Sequence, residues 1–266
     1  MKIWVSANQK GGVGKTTTAV SLAGCLLRQQ SRVLLVDLDP HGSLSAYFGF
    51  DPDVVEGGVH GLFERAAGRS HVPLASLIHR TRLPNLTIAP ASTALAVVER
   101  QFGAREGIGR VLGGGLGAWA GQFDHAIVDC PPMLGILLVN ALACCDRVIV
   151  PVQTEPLALK GYERFMRTLQ MVTRSRGQPI PYTVVPTMYD RRTRASQDAL
   201  AWLEDNAGPQ LWRGVVPVDT RFRDASRLGL PLPWHDPASR GACAYADLLD
   251  FLTQGASEAP NLRLAG

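Results

Sequence analysis

A glycine-rich turn set between an apolar run and a run with helical spacing constrains this chain more than any other stretch. It reads Ala7-Asn8-Gln9-Lys10-Gly11-Gly12-Val13-Gly14-Lys15-Thr16-Thr17-Thr18. Residues Ile3 to Ala7 predict a short buried strand, and Thr16 to Leu27 carries Ala19, Leu22, Ala23 and Leu26 at helical spacing. Strand, glycine-rich turn and helix in that order is the context in which such a turn holds phosphate. Gly11, Gly12 and Gly14 let the backbone curl so that successive N–H groups point inward, and the helix start adds its partial positive charge. The cradle therefore runs from Gly11 through Val13 to Thr17. Lys15 is placed to reach the terminal phosphates of a nucleoside triphosphate such as ATP, and the Thr16 hydroxyl is the expected ligand of its Mg2+ ion.

The strict phosphate-loop pattern asks for a glycine five residues before Gly14, where this chain has Gln9, and a second lysine, Lys10, precedes the paired glycines. In this departure KGGVGKTT resembles the deviant Walker A box of the ParA, MinD and nitrogenase iron-protein group. The resemblance implies that Lys10 crosses a dimer interface to touch the nucleotide of the partner subunit, and so implies a homodimer that forms with ATP.

Two further segments support the resemblance. Arg32 to Pro40 predicts a buried parallel strand ending in two carboxylates, where ligand crevices open in such sheets. By resemblance this is the first switch: Asp39 orients or activates water and holds an Mg2+-bound water, while Asp37 is structural. His41 follows as a polar cap or interface residue. The segment Phe123 to Pro132 is an apolar strand that ends at Asp129 and then turns through Pro131 and Pro132. A carboxylate there accepts hydrogen bonds from metal-bound water, which makes Asp129 a metal residue beside Thr16 and Asp39.

The alternation continues. Strands are predicted over Leu86 to Pro90, Arg147 to Pro151 and Tyr182 to Pro186. Helices are predicted around Leu95 and Val98 and over Leu134 to Leu142, Pro156 to Arg174 and about Ser239 to Leu252. The clustered glycines of Gly107 to Gly117 weaken a helical pattern there, and residues 50–82 read as short helices over the sheet. This order argues one α/β domain over residues 1–255, a mostly parallel sheet with helices on both faces, followed by a short flexible tail over 256–266.

At 266 residues the chain is long enough for one such domain. No run approaches the roughly 18 apolar residues of a membrane helix, and no leader precedes the loop, so a cytoplasmic protein without membrane insertion is expected. The five cysteines show no C-x-x-C spacing and are read as buried reduced thiols. The net charge of +4 permits a weak grip on nucleic acid.

By resemblance, Thr187, Pro217 and Asp219 occupy the adenine pocket, with Thr187 and Asp219 at the base edge and Pro217 against its face. Two arginine clusters, Arg191, Arg192 and Arg194, then Arg221 and Arg223 with Arg227, are candidates for nonspecific DNA contact, set against a solvated face paired with Asp190, Asp198 and Asp224. Val218 and Asp219 stand where partition proteins carry arginine and asparagine. The wording of Asp39 to Asp53, Pro151 to Gly161 and Pro217 to Arg227 is similar to ParA-type ATPases encoded among chemotaxis genes, often called ParC. That similarity implies a protein partner in the chemotaxis array or at the pole, with a position at the pole or on the nucleoid. A plasmid or chromosome partition ATPase and a metabolic enzyme of the same fold are the competing classes.

Overall fold

Strand residues in this chain are buried on both faces of the sheet, and their alternation divides the interior into two cores. The computed structural model describes residues 1–98, 101 and 107–254. Strands β1 (Lys2–Ser6), β2 (Val33–Asp37), β3 (His79–Arg80), β4 (Leu86–Ala89), β5 (His125–Asp129), β6 (Arg147–Gln153) and β7 (Tyr182–Thr187) form one sheet in the order β3-β4-β2-β5-β1-β6-β7. Neighbours are parallel except for the two-residue edge strand β3, which runs against β4.

Val5, Leu34, Val36, Ala126, Val128, Val148 and Val150 point into one core. Trp4, Val33, Leu35, Ile127 and Ile149 point into the other. A sheet of this kind, parallel and covered twice, needs strands with no polar face, which is why these strands are rich in valine, leucine and isoleucine.

Helix α1 (Lys15–Arg28) leaves the glycine-rich turn and packs on the second core. Its Leu22, Leu26 and Leu27 are at most 2% exposed. Each contributes about 1.5–3 kcal/mol through burial. Short helix α2 (Ser43–Tyr47) follows β2. Helices α3 (Gly58–Ala66), α4 (Val111–Trp119), α5 (Ile136–Cys144), α6 (Pro156–Arg176) and α7 (Arg194–Ala207) all contribute side chains to the first core. Helices α8 (Arg221–Leu228) and α9 (Leu232–His235) lead into α10 (Arg240–Gln254), which lies against α1. A hydroxyl pair, Thr18 Oγ1 to Tyr245 Oη at 2.8 Å, joins those two helices.

The expected alternation is present, with shifts at the boundaries and several elements that were not anticipated. β6 continues to Gln153. Of the helix expected around Leu95 and Val98, Leu95 lies in a 3-10 turn, Thr93–Val97, and Val98 directly after it is helical. Of the glycines that argue against a helix over 107–117, Gly115 serves a close contact instead. A Cβ on Gly115 of α4 would stand 2.8 Å from both methyl carbons of Leu62 in α3, so the glycine lets the two helices approach. Helix α7 begins at Thr193, whose hydroxyl accepts the Ser196 N–H. Edge strand β3 is too short for any periodicity to mark it. The expected tail, 256–266, lies outside the described residues.

Candidate nucleotide site

The loop that follows β1 is shaped by two glycines in the left-handed region, Gly12 at φ 76° and Gly14 at φ 92°. Side chains from distant elements then fix it. Ser6 Oγ donates to the Lys15 carbonyl at 2.9 Å, and Asn8 Nδ2 donates to the Pro151 carbonyl at 2.7 Å. Gln9, the residue that stands where the strict pattern has glycine, donates from Nε2 to Thr168 Oγ1 of α6 at 2.9 Å. Thr187 Oγ1, at the end of β7, donates to the Val13 carbonyl at 2.8 Å. The loop is thereby tied to β6, α6 and β7 at once.

Beneath it lie two carboxylates that strand register brings together, since Asp37 of β2 pairs with Asp129 of β5. Asp129 Oδ2 accepts the Thr16 hydroxyl at 2.6 Å, and its Oδ1, fully buried, has no hydrogen-bond partner among the described residues. Burial first and the neighbouring Asp37 charge second push the Asp129 carboxyl well above the usual carboxylate range, against the pull of Thr16 and Lys15. Asp37 is also raised by burial, although its oxygens are engaged: Oδ1 accepts the Asp39 N–H at 3.1 Å, and Oδ2 accepts the Ser45 N–H at 2.8 Å and hydroxyl at 2.7 Å. Asp37 therefore holds the turn after β2.

Lys15 Nζ donates to the Lys10 carbonyl at 3.1 Å. Burial lowers its pKa, opposed by the charges of Asp129, Cys130 and Asp39. Asp39 is partly exposed, and its Oδ1 receives the His41 N–H at 3.0 Å and meets His41 Nδ1 at 2.9 Å. The donor set suits Mg2+, which keeps most of its water and takes few protein oxygens: a hydroxyl at a helix start, a buried carboxylate oxygen without a partner, and a second carboxylate at the rim. Thr16 would hold the ion directly, with Asp129 and Asp39 acting through its waters.

Lys10 is directed elsewhere. Its Nζ pairs with Glu155 Oε1, and Gln153 Nε2 donates to the other oxygen, Glu155 Oε2, at 3.1 Å. Gly161 of α6 makes this approach feasible, because a Cβ there would stand 2.9 Å from Lys10 Cβ. Sequence reasoning passed over Glu155, Gln153, Asn8 and Gly161 as functional positions. Glu155 carried one signal, an acidic residue at the N-cap of a helix that opens with proline.

Thr187 and Pro217 are neighbours, since the segment over 216–218 pairs with the end of β7 through Tyr189. The Thr187 hydroxyl proton goes to the phosphate loop. Asp219 accepts the Arg221 N–H at 3.0 Å and the Gly241 N–H at 3.1 Å, so its two oxygens secure the starts of α8 and α10. Among the arginines, Arg192 is chelated by Asp190 (2.7 Å), Arg194 lies 3.6 Å from Asp198, and Arg221 lies 2.9 Å from Asp236. The guanidinium groups of Arg191 and Arg223 have no hydrogen-bond or ion-pair partner among the described residues. The cysteines are free thiols; Cys25, Cys130 and Cys145 are buried, whereas Cys243 is exposed, contrary to the expectation for all five. Among the described residues no helix is long and apolar enough to cross a membrane.

A phosphate-shaped loop running into a helix, lysines on both sides of its paired glycines, and carboxylates from two adjacent parallel strands beneath it define a P-loop nucleotide hydrolase of the two-lysine kind. Comparison with known proteins agrees. Residues 1–180 match the family model described as an AAA domain. The chain is 35% identical over 248 residues to the sporulation initiation inhibitor protein Soj of Bacillus subtilis, covering 93% of this chain and 96% of that one. It is 34% identical over 251 residues to the chromosome partitioning protein ParA of Caulobacter vibrioides, covering 93% and 92%. Among solved structures, cobyrinic acid a,c-diamide synthase from Mycobacterium smegmatis, with bound ATP analogue and magnesium, superposes with a TM-score of 0.81 at 34% identity, covering 97% of this chain and 96% of that one. The chain belongs to the ParA/Soj family of P-loop ATPases.

Proposed function

We propose that this protein is an ATPase that dimerises with ATP and positions or segregates a cellular cargo through a cycle of binding, hydrolysis and release. The observation that carries this reading is the division of labour between the two lysines. Lys15 closes onto its own loop, whereas Lys10 reaches out of the cradle to Glu155. A lysine that its own phosphate cradle does not use is available to a second subunit.

In the proposed cycle the N–H groups from Gly11 to Thr17 and Lys15 hold the phosphates of ATP. Bound Mg2+ supplies charge neutralisation and polarises the phosphoryl oxygens. Thr16 would hold it directly and Asp129 through its waters, where Asp129 Oδ1, without a hydrogen-bond partner among the described residues, would accept one. Asp39 orients the attacking water and accepts its hydrogen bond. Pro217 lies against the adenine face, with Thr187 and Asp219 at its edge. Lys10 of each subunit leaves Glu155 and touches the phosphates held by the other. Few catalytic groups come from one chain, so turnover is slow until a partner completes the site. Exposed Met133 (70%), Leu134 (50%) and Leu157 (70%), which follow the C-terminal ends of β5 and β6, suit the face that dimerisation covers.

For the cargo, the loop wording supports the polar chemotaxis array, with a protein partner there or at the pole. The names of the Soj and ParA relatives favour a second reading, chromosome or plasmid partition on nucleoid DNA with a centromere-binding partner. Both readings place the protein in the cytoplasm, at the pole or over the nucleoid. The test is to image a fluorescent fusion beside a labelled chemoreceptor and a nucleoid stain. A focus that follows the receptor cluster and disperses in Lys10→Ala supports the array reading. A distribution that follows the nucleoid, with receptor placement unchanged on deletion, overturns it in favour of partition.

A further inference from the structure

The phosphate loop sits at the C-terminal ends of the strands. At the opposite end, where β2, β4 and β5 begin, the surface opens into a concavity of about 740 Å3. Its charged lining residues are all arginines: Arg32, which precedes β2, and Arg80 and Arg82, at the end of β3 and just beyond it. Arg32 is neutralised by Asp124, with Nη2 at 2.8 Å from Oδ1, and that pairing holds the Asp124 carboxyl down at about 2. Arg80 and Arg82 have no ion pair or hydrogen bond among the described residues, unlike Arg192, Arg194 and Arg221. The side chains of Asn85, Thr87 and Gln122 in the same wall are likewise without hydrogen bonds there. Ile78, Leu83 and Phe123 supply an apolar side.

We propose that this concavity is a second anion site, built for a small phosphorylated molecule and separate from the nucleotide site. A cleft lined by one sign of charge concentrates anions, and guanidinium groups match phosphate oxygens in pairs. Neutral donors at Asn85, Thr87 and Gln122 would take the remaining oxygens, and the apolar side would take an organic body. The volume falls in the range of small-molecule sites, about 300–1,000 Å3. This inference stands apart from the nucleotide reading, because it uses none of the same residues.

Calorimetric titration with pyrophosphate at constant ionic strength tests it. Lys15→Ala, which disables the phosphate loop, should retain one saturable site. Replacing Arg80 and Arg82 together by Ala in that background should weaken the site by roughly tenfold or more, and replacing both by Gln should do the same. Replacing Arg164 and Arg167 of α6 by Ala in that background removes the same charge elsewhere and should leave the site unchanged. AMP should bind the Lys15→Ala protein more tightly than pyrophosphate does, because it also reaches the apolar side. Thermal melts of each variant check folding. Complete loss of binding in Lys15→Ala alone would overturn the second site while upholding the first, and equal weakening in the α6 control would reduce it to net charge.

Discussion

Lys10 and Glu155, 145 residues apart in sequence, form an ion pair that joins the phosphate loop to the start of α6. Both side chains are partly exposed, at 25% and 38%, so the pair is accessible to an exchange of partners. Such a pair stabilises the fold little, roughly 0–1 kcal/mol. Its consequence is positional, since the proposed dimer requires Lys10 to leave it.

Substitution at either end should therefore move dimerisation in opposite directions. Glu155→Gln frees Lys10 and should lower the ATP concentration at which light scattering detects dimer. Lys10→Ala should stay monomeric with ATP, and Asp39→Ala should accumulate a stable ATP-bound dimer. Oligomer size that ignores nucleotide in all three variants would sink the mechanism.

Thr187→Val keeps the shape of a buried side chain and removes the proton given to the Val13 carbonyl. The loss should cost about 1–3 kcal/mol in a denaturant melt, and because that carbonyl belongs to the phosphate loop it should also weaken ATP binding. A variant with unchanged stability and altered affinity alone would leave Thr187 with its place at the base edge and no part in holding the loop.

Asp129 is raised from the ordinary 3.8 to about 8 in the folded chain, with burial the first cause. Between those values the native state holds a proton that the unfolded state has lost. Stability of the metal-free protein should consequently fall as pH rises from about 4 to about 8, with a limiting slope of roughly 1.4 kcal/mol per pH unit. Asp37, raised to about 6, adds to the lower part of the same window. Asp129→Asn should flatten the upper part, and Mg2+ with ATP should do so in the wild type. Urea melts at pH 5, 6, 7 and 8 measure this, and equal slopes in wild type and Asp129→Asn would refute it.

The arginine clusters make separable predictions for DNA. The guanidinium groups of Arg191 and Arg223 have no ion-pair or hydrogen-bond partner among the described residues, while those of Arg192 and Arg221 are held by Asp190 and Asp236. If the ATP-bound dimer grips duplex DNA, Arg191→Ala and Arg223→Ala should each weaken it and reduce the salt slope by about 1. Arg192→Ala should change it less. Anisotropy with labelled duplex at several salt concentrations distinguishes these outcomes, and an affinity indifferent to all three variants would remove the clusters from the DNA surface.

Much of this protein was determined by its sequence alone. The order of strands and helices follows from apolar runs and helical spacing, and the phosphate loop follows from glycines and lysines whose conformational and charge requirements are local. Asp129 is legible because it ends an apolar strand before two prolines. Tertiary structure decided what depends on registers and contacts between distant segments. The pairing of Asp37 with Asp129 comes from the alignment of β2 with β5; burial raises both carboxyls, and the alignment adds the Asp37 charge to what raises Asp129. Gln9 joins Thr168, Lys10 joins Glu155, and Thr187 joins Val13 across gaps of 159, 145 and 174 residues. Gly115 of α4 looks like a helix breaker until Leu62 of the neighbouring helix fills the space where its side chain would be. A local pattern can specify an element and its chemistry, whereas the partner of each polar side chain is chosen only when the chain closes on itself.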